Sequence, residues 1–533
     1  MVQHGAKEKC TKKPSSDAGR KEMKSGDGAG RGGINDLYRG LEGISLSSSE
    51  PRRLHDVSSL LFHSKSNKLP FRLPFLGPIS LAEQGSIGAE ISHGRGLITT
   101  RDVSMGECLF VVPPVFSADA VEVRSRYLQD KLEYGGDEAR AVERLAEDQI
   151  VQKVQSACNL LSDEGIRSKS SADRARMQAF ISQMSSERVP TIRNPDALMS
   201  VLVANESPSI PHNVTANLDI DNIISIIRRN AFGPDFHSYD KIAKCWTERA
   251  NSECCYDRLL GIYPLAAMIN HSCCPNAVRV FGCIPALNGK TSEREVMIVH
   301  ASANIPKGTE ITWSYLSPAT PFAVRRGMLS SKYGFTCQCT RCAKEEEALS
   351  IAELQGLFAL ADEGWSSRGT IRCDQGEEKL VSSIERIFSA KQVPIESQRY
   401  LRVGFALLYI DYFNAAHSLE NDESIERKLR IAAQLHFSFV SCNNASTEHL
   451  SILHLCYDLS SHLRSTAMKG NDPNVIARAT SQVRFWTEQL KIAHMIRFGE
   501  LGQDLENVRN AMKHSKLVLR NQDGWYLAKD RFI

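Results

Sequence analysis

The chain has 533 residues, too many for one hydrophobic core, so two or three domains are expected. Apolar residues make up 42% and aromatics 7%, which excludes a largely disordered protein. With 65 lysines and arginines against 62 acidic residues, the net charge of +3 gives no argument for strong attraction to nucleic acid or membrane surfaces.

No stretch approaches the roughly 18 consecutive apolar residues of a membrane span. The basic N-terminus is not followed by the apolar run of a secretory leader. The expected compartment is therefore reducing, cytoplasm or nucleus. The 15 cysteines then read as buried thiols or metal ligands rather than disulfides.

Residues 1–75 are rich in Gly, Ser, Lys and Arg without periodicity and read as a disordered tail. From Leu76 the chain changes. The run GAEISHGRGLITTRDVSMGECLFVVPPV alternates apolar and polar residues between glycines, predicting short strands and tight turns. Residues 118–229 predict helices, with AVERLAEDQIVQKVQSACNLL at helical spacing and prolines dividing the rest. Strands return at AVRVF, REVMIVHA and EITWSYL, with a turn at Ile305-Pro306-Lys307-Gly308. The β portion is thus split by a helical insertion.

After Glu345 the pattern is helical almost to the end, with apolar stripes over 349–362, 377–390, 400–419, 425–441, 447–468, 474–498 and 505–519. Their spacing is compatible with tetratricopeptide-type helix pairs or with an irregular bundle. The fold class expected is α+β, with an all-α C-terminal part.

Four segments carry chemistry. Gly94-Arg95-Gly96-Leu97 places glycines where backbone can approach a ligand closely. Asn270-His271-Ser272-Cys273, followed by Pro275-Asn276, sets an amide beside an imidazole. Gly308-Thr309-Glu310-Ile311-Thr312-Trp313-Ser314-Tyr315 is a strand ending in tyrosine. Cys337-Gln338-Cys339-Thr340-Arg341-Cys342 gathers three thiols at metal-ligand spacing. A closed tetrahedral site needs a fourth ligand, and none follows closely. Cys373 sits among charged residues, so the fourth comes from elsewhere in the chain.

In this order, GRGL, NHSCxPN, GTEITWSY and FxCxCxxC resemble the SET domain of protein-lysine methyltransferases, with the SMYD (SET-and-MYND) branch most similar. The resemblance covers residues 80–343 by motif and 350–533 by architecture. It implies a tail (1–75), a split SET domain (76–318, insertion about 118–229), a post-SET zinc segment (319–346) and a tetratricopeptide-like domain (347–533).

The same resemblance implies transfer of a methyl group from S-adenosylmethionine to a lysine amine of a protein substrate, histone or non-histone. Gly94, Arg95, Gly96, Asn230, Asn270, His271, Tyr315 and Phe335 would hold the cofactor. Tyr315 would stand at the transfer centre, and Tyr333 would line the lysine channel with it. Structural zinc would be held by Cys273, Cys337, Cys339 and Cys342, with Cys274 at a variable position. A protein partner on the helical domain is implied, with no membrane or direct nucleic-acid contact. The alternative is an inactive SET scaffold, which the presence of Asn270, His271 and Tyr315 argues against.

Two positions depart from the branch. Only Cys158 lies between Cys108 and Cys245, so no MYND finger is expected there. Arg95 stands where the family motif often has asparagine, and its larger cationic side chain bears on the cofactor pocket.

Overall fold

The computed structural model describes residues 75–83, 95–114, 116–130, 138–162, 230–233, 258–284, 294–366, 374–406, 408–410, 422–442 and 445–498. All belong to one compact unit, Glu50–Ile533. The predicted tail up to residue 74, Gly94, insertion residues 163–229, Cys373 and the predicted helix over 505–519 lie outside the described residues.

Eleven strands are described: β1 (Phe75–Leu76), β2 (Ile79–Glu83), β3 (Arg95–Thr99), β4 (Cys108–Val112), β5 (Phe116–Asp119), β6 (Ala231–Phe232), β7 (Arg258–Ile262), β8 (Asn270–His271), β9 (Ala277–Ile284), β10 (Arg294–Ala301) and β11 (Glu310–Trp313). They form three small sheets, ordered β1-β4-β10-β9, β2-β3-β11-β8 and β5-β7-β6. Within the predicted insertion, two helices are described, α1 (Ala120–Asp130) and α2 (Glu138–Ser162). The strands predicted at AVRVF and REVMIVHA are β9 and β10; the one predicted at EITWSYL is β11 but ends at Trp313, so Tyr315 stands beyond the strand rather than at its end. Gly308, at φ 79°, takes the left-handed conformation that closes the turn before β11.

The predicted apolar–polar alternation fails at β4, where all five residues of CLFVV are buried. The reason is a core on both sides. On β10, Val296 and Ile298 join a cluster with the C-terminal helices, whereas Met297, Val299 and Ala301 face the cluster built on Leu97, Ile311 and Trp313. A strand covered on both faces has no reason to carry polar residues on either.

The C-terminal helices follow a short helix α3 (Phe322–Met328) and a π turn (Leu329–Tyr333). They are α4 (Thr340–Ala348), α5 (Ile351–Ser366), α6 (Asp374–Ala390), α7 (Ile395–Gly404), α8 (Asp422–Ser441), α9 (Thr447–Gly470) and α10 (Pro473–Phe498). Consecutive pairs pack together: α5 on α6, α7 on α8, α8 on α9 and α9 on α10. The α9–α10 corner is written into the sequence. Ser446 Oγ accepts the His449 N–H at the start of α9, and Asn471 ends that helix at φ 56°. Asp472 Oδ1 then accepts the Asn474 N–H as α10 opens on Pro473.

The helix predicted over 400–419 starts earlier, at Ile395; after a break at Phe405 the chain is helical again at 406 and 408–410, and 411–419 lie outside the described residues. Pro394 pre-sets the backbone for a first turn and Glu396 complements the helix dipole there, so nucleation falls ahead of the apolar stripe. Helix α10 returns to pack on β9 and β10, bringing the end of the helical part against the sheets. Among the described residues, no helix is long and apolar enough to cross a membrane.

Trp486 of α10 is wholly buried, at 0% exposure, with its ring edge-on to His436 of α8. Trp486→Ala leaves a large cavity where α8 and α10 meet, and is expected to cost about 3–5 kcal/mol. Urea unfolding followed by far-UV circular dichroism measures it.

Candidate functional site

The parallel pairing of β8 with β11 builds the site. Asn270 lies beside Thr312 and His271 beside Trp313. One side chain and one backbone N–H of the segment after β8 reinforce this pairing. Asn276 Nδ2 donates to Glu310 O at 2.8 Å, and Asn276 Oδ1 accepts the Thr312 N–H at 2.8 Å. The Ser272 N–H donates to Trp313 O at 2.9 Å. The Asn-His-Ser-Cys segment is thereby laid along the strand that leads to Tyr315.

The Asn270 amide donates to Arg95 O at 2.9 Å and to Glu310 Oε1 at 2.6 Å. It thus joins β3 to β11 from the side of β8. Gly96 must be small for this reason: a Cβ there would lie 2.8 Å from Glu310 Oε1 and 3.2 Å from Asn270 Nδ2. Glu310 was not singled out by residue patterning. Its signal is a carboxylate, 7% exposed, in a strand that also buries Ile311 and Trp313. Arg95 stands across from Glu83 in the β2–β3 register, and its carbonyl supports Asn270 whatever its side chain does.

His271 has both ring nitrogens engaged. Nδ1 accepts the Tyr315 N–H at 2.9 Å, which places the proton of a neutral ring on Nε2, 3.1 Å from Cys273 Sγ. Its imidazole therefore joins the tyrosine to a cysteine of the metal-type cluster. These side-chain contacts leave the His271 backbone for any ligand contact.

Tyr315 is partly buried, with its hydroxyl donating to Ile269 O at 2.9 Å. Burial pushes its pKa up to about 12, with Tyr333 and Glu310 adding to the effect. Its ring is walled by Tyr333 at 4.9 Å, His271 at 5.1 Å and Phe335 at 6.4 Å between centroids. The π turn carries Tyr333. Gly334, left-handed at φ 75°, then redirects the chain so that Phe335 also meets His271, at 5.9 Å. Asn230 directly precedes β6, whose Phe232 packs edge-on against Trp313 at 5.3 Å.

The sulfurs of Cys273, Cys337, Cys339 and Cys342 all lie within 4.8 Å of one another, a set that can hold a metal ion. Cys273 Sγ is 3.9 Å from Cys337 Sγ and 3.6 Å from Cys342 Sγ. Cys339 is the N-cap of α4 and Cys342 lies in its first turn, where the helix dipole favours thiolates. Mutual hydrogen bonds hold Cys273 and Cys339 below the usual thiol range and drive Cys337 and Cys342 above it. Cys274 is outside the foursome, hydrogen-bonded to Cys339 on one hand and to Cys442, just past α8, on the other.

Residues 94–316 match the family model described as SET domain, and the chain carries a SET domain. Over 94 residues it is 39% identical to the histone-lysine N-methyltransferase ASHR1 of Arabidopsis thaliana, a match covering 18% of this chain and 17% of that protein. Over 97 residues it is 31% identical to the N-lysine methyltransferase SMYD2 of Homo sapiens, covering 18% of this chain and 20% of that protein. It also matches ASHR2 of Arabidopsis thaliana, another histone-lysine N-methyltransferase, at 29% over 144 residues, covering 27% of this chain and 32% of that protein. The chain therefore matches less than a third of the length of these relatives. A solved SET domain of LSMT bound to lysine and AdoHcy aligns over 85% of this chain and 87% of that one, at 13% identity and a TM-score of 0.24, an overlap too low to add to the case.

Gly96→Ala tests the packing beneath Asn270. The added methyl must displace the Glu310–Asn270 pair, an overpacking cost of about 1–3 kcal/mol. Thermal unfolding of the variant beside the parent reads it.

Proposed function

Starting from the SET domain of residues 94–316, we propose that the protein transfers methyl groups from S-adenosylmethionine to the side-chain amine of lysine in a protein substrate, in the cytoplasm or nucleus. The observation that carries this reading is the setting of Tyr315, walled by Tyr333, Phe335 and His271 with its hydroxyl tied to the Ile269 carbonyl.

The residues fit the cofactor. A partly exposed aromatic, Phe335, offers a face for the adenine ring, and the small Gly96 keeps the backbone approachable beside Asn270. Gly94, Arg95, Gly96, Asn230, Asn270 and Phe335 would hold the cofactor together with the His271 backbone and Tyr315. When bound, S-adenosylmethionine supplies a sulfonium methyl group to an attacking amine.

The lysine must arrive neutral. Holding an amine of pKa near 10.4 unprotonated at pH 7 costs about 4.6 kcal/mol. Loss of water in a channel walled by Tyr315 and Tyr333, together with the positive charge of the sulfonium, would lower that cost by disfavouring the ammonium form. Tyr315 itself keeps its proton at neutral pH, because its pKa is raised and its hydroxyl hydrogen already points at Ile269 O. It therefore acts as an orienting group and not as a base. The Ile269 carbonyl beside it is a second oxygen that can hold the reacting groups in line.

The cysteine foursome fits structural zinc. Four sulfurs about 2.3 Å from a tetrahedral ion stand about 3.8 Å apart, and the 3.6 and 3.9 Å separations at Cys273 match that edge. The ion would tie the loop after β8 to the start of α4. Consecutive packing of α7 to α10 supports a tetratricopeptide-like reading of the helical part, and with it a protein-partner surface there.

Two experiments test the proposal. Tyr315→Phe keeps the ring and removes the hydroxyl. Single-turnover transfer of tritiated methyl to an extract, with mass spectrometry of the labelled lysines, is expected to slow by about 5- to 150-fold, the equivalent of roughly 1–3 kcal/mol, with an unchanged melt. Equal rates would return Tyr315 to a packing role, and no cofactor binding by the folded parent in calorimetry would remove the enzymatic reading altogether. For the metal, elemental analysis should give one zinc per chain, lost in Cys273→Ser and kept in Cys274→Ser. The reverse pattern would move the ligand by one residue.

A further inference from the structure

Against the cysteine foursome lies a second set of charges. Arg325 on α3 and Arg341 and Glu345 on α4 have side-chain exposures of 1%, 0% and 1%. Arg325 Nη2 binds Glu345 Oε2, and Arg341 Nε donates to Glu345 Oε1 at 3.1 Å. Arg325 Nη1 donates to Thr320 O at 2.7 Å and Arg341 Nη1 to Pro318 O at 2.8 Å. Two buried guanidiniums thus share one buried carboxylate, which leaves one positive charge in surplus. Such a surplus is costly in a protein interior unless another anion meets it.

The cysteine foursome is placed to meet it once its sulfurs are thiolates on a metal ion. The same Nη2 that binds Glu345 also points at Cys342 Sγ, 3.8 Å away. A dication held by four thiolates carries two net negative charges, and a buried tetrathiolate needs positive charge beside it as much as the arginines need negative charge.

We propose that Arg325, aimed by Glu345 and backed by Arg341, is the counter-charge of a metal tetrathiolate at Cys273, Cys337, Cys339 and Cys342, and so sets its metal affinity. Glu345 receives both guanidiniums and directs the surplus charge onto the sulfurs. The arginines are positioning residues for the metal and touch no substrate. This inference rests on the metal reading of the cysteine foursome.

The test uses the full chain. Zinc affinity is measured by competition with a chromogenic chelator, and melts are recorded with zinc and after its removal. Arg325→Met is expected to weaken zinc binding by about 10- to 100-fold, the usual effect of losing an outer partner of a metal ligand. By linkage, the loss of melting temperature is larger with metal than without. Arg326→Met, at an exposed arginine paired with Glu346, leaves the affinity unchanged. Glu345→Gln gives the opposite sign. It enlarges the positive surplus, so the metal-free protein is destabilised more than the zinc-bound one. Should Arg325→Met not fold, Glu345→Gln decides the matter alone. Zinc affinity in Arg325→Met within twofold of the parent, or equal destabilisation of both forms in Glu345→Gln, would overturn the proposal and leave the three residues as a brace between α3 and α4. A parent protein that takes up no zinc would instead overturn the metal reading on which it rests.

Discussion

His271 sits where a short parallel strand pair turns into a site. Its Nδ1 takes the backbone N–H of Tyr315 and its Nε2 faces Cys273, so one ring couples the residue beyond β11 to the cysteine foursome. The coupling exists only because β8 runs parallel to β11 and brings Trp313 alongside His271. Asn276 and Ser272 supply the hydrogen bonds that such a two-residue strand cannot supply by itself. If this pairing slipped by one residue, Asn270 would lose Glu310, His271 would lose Tyr315, and the aromatic wall would have no floor.

The aromatic wall depends on the foursome from the other side. Tyr333 and Phe335 lie on the π turn and its exit, just ahead of Cys337. Cys273 follows His271 by two residues. Holding Cys273 close to Cys337 and Cys342 therefore closes a loop of chain around Tyr315. The buried Arg325–Glu345–Arg341 set then ties α3 and α4 to the segment at 318–320. Metal-type cluster, ion set and aromatic wall form one mechanical unit, packed within the same buried core as the C-terminal helices.

That shared core also explains where local patterning fails. β4 and β10 lie between the helices on one face and the second sheet on the other, so CLFVV carries no polar side to read. The helix predicted from residue 400 begins at Ile395, because Pro394 and Glu396 favour nucleation there.

Much was legible in the residues alone, wherever the cause is local. The turn at Gly308, the strand limits of Arg294–Ala301 and the two helices Thr447–Gly470 and Pro473–Phe498 follow from turn chemistry, periodicity and capping, which act over a few neighbours. The spacing of Cys337, Cys339 and Cys342 spoke for a metal-type site for the same reason. The fourth sulfur, Cys273, was implied only by resemblance, since no spacing rule reaches across more than sixty residues. Three features were decided by tertiary structure. The His271 side chain bridges Tyr315 to Cys273, Glu310 holds Asn270 above Gly96, and two arginines share Glu345 beside the sulfurs. Each joins residues far apart in the chain through a buried polar contact, and the partner of a buried polar group is chosen by the packing that excludes water, which no local pattern records.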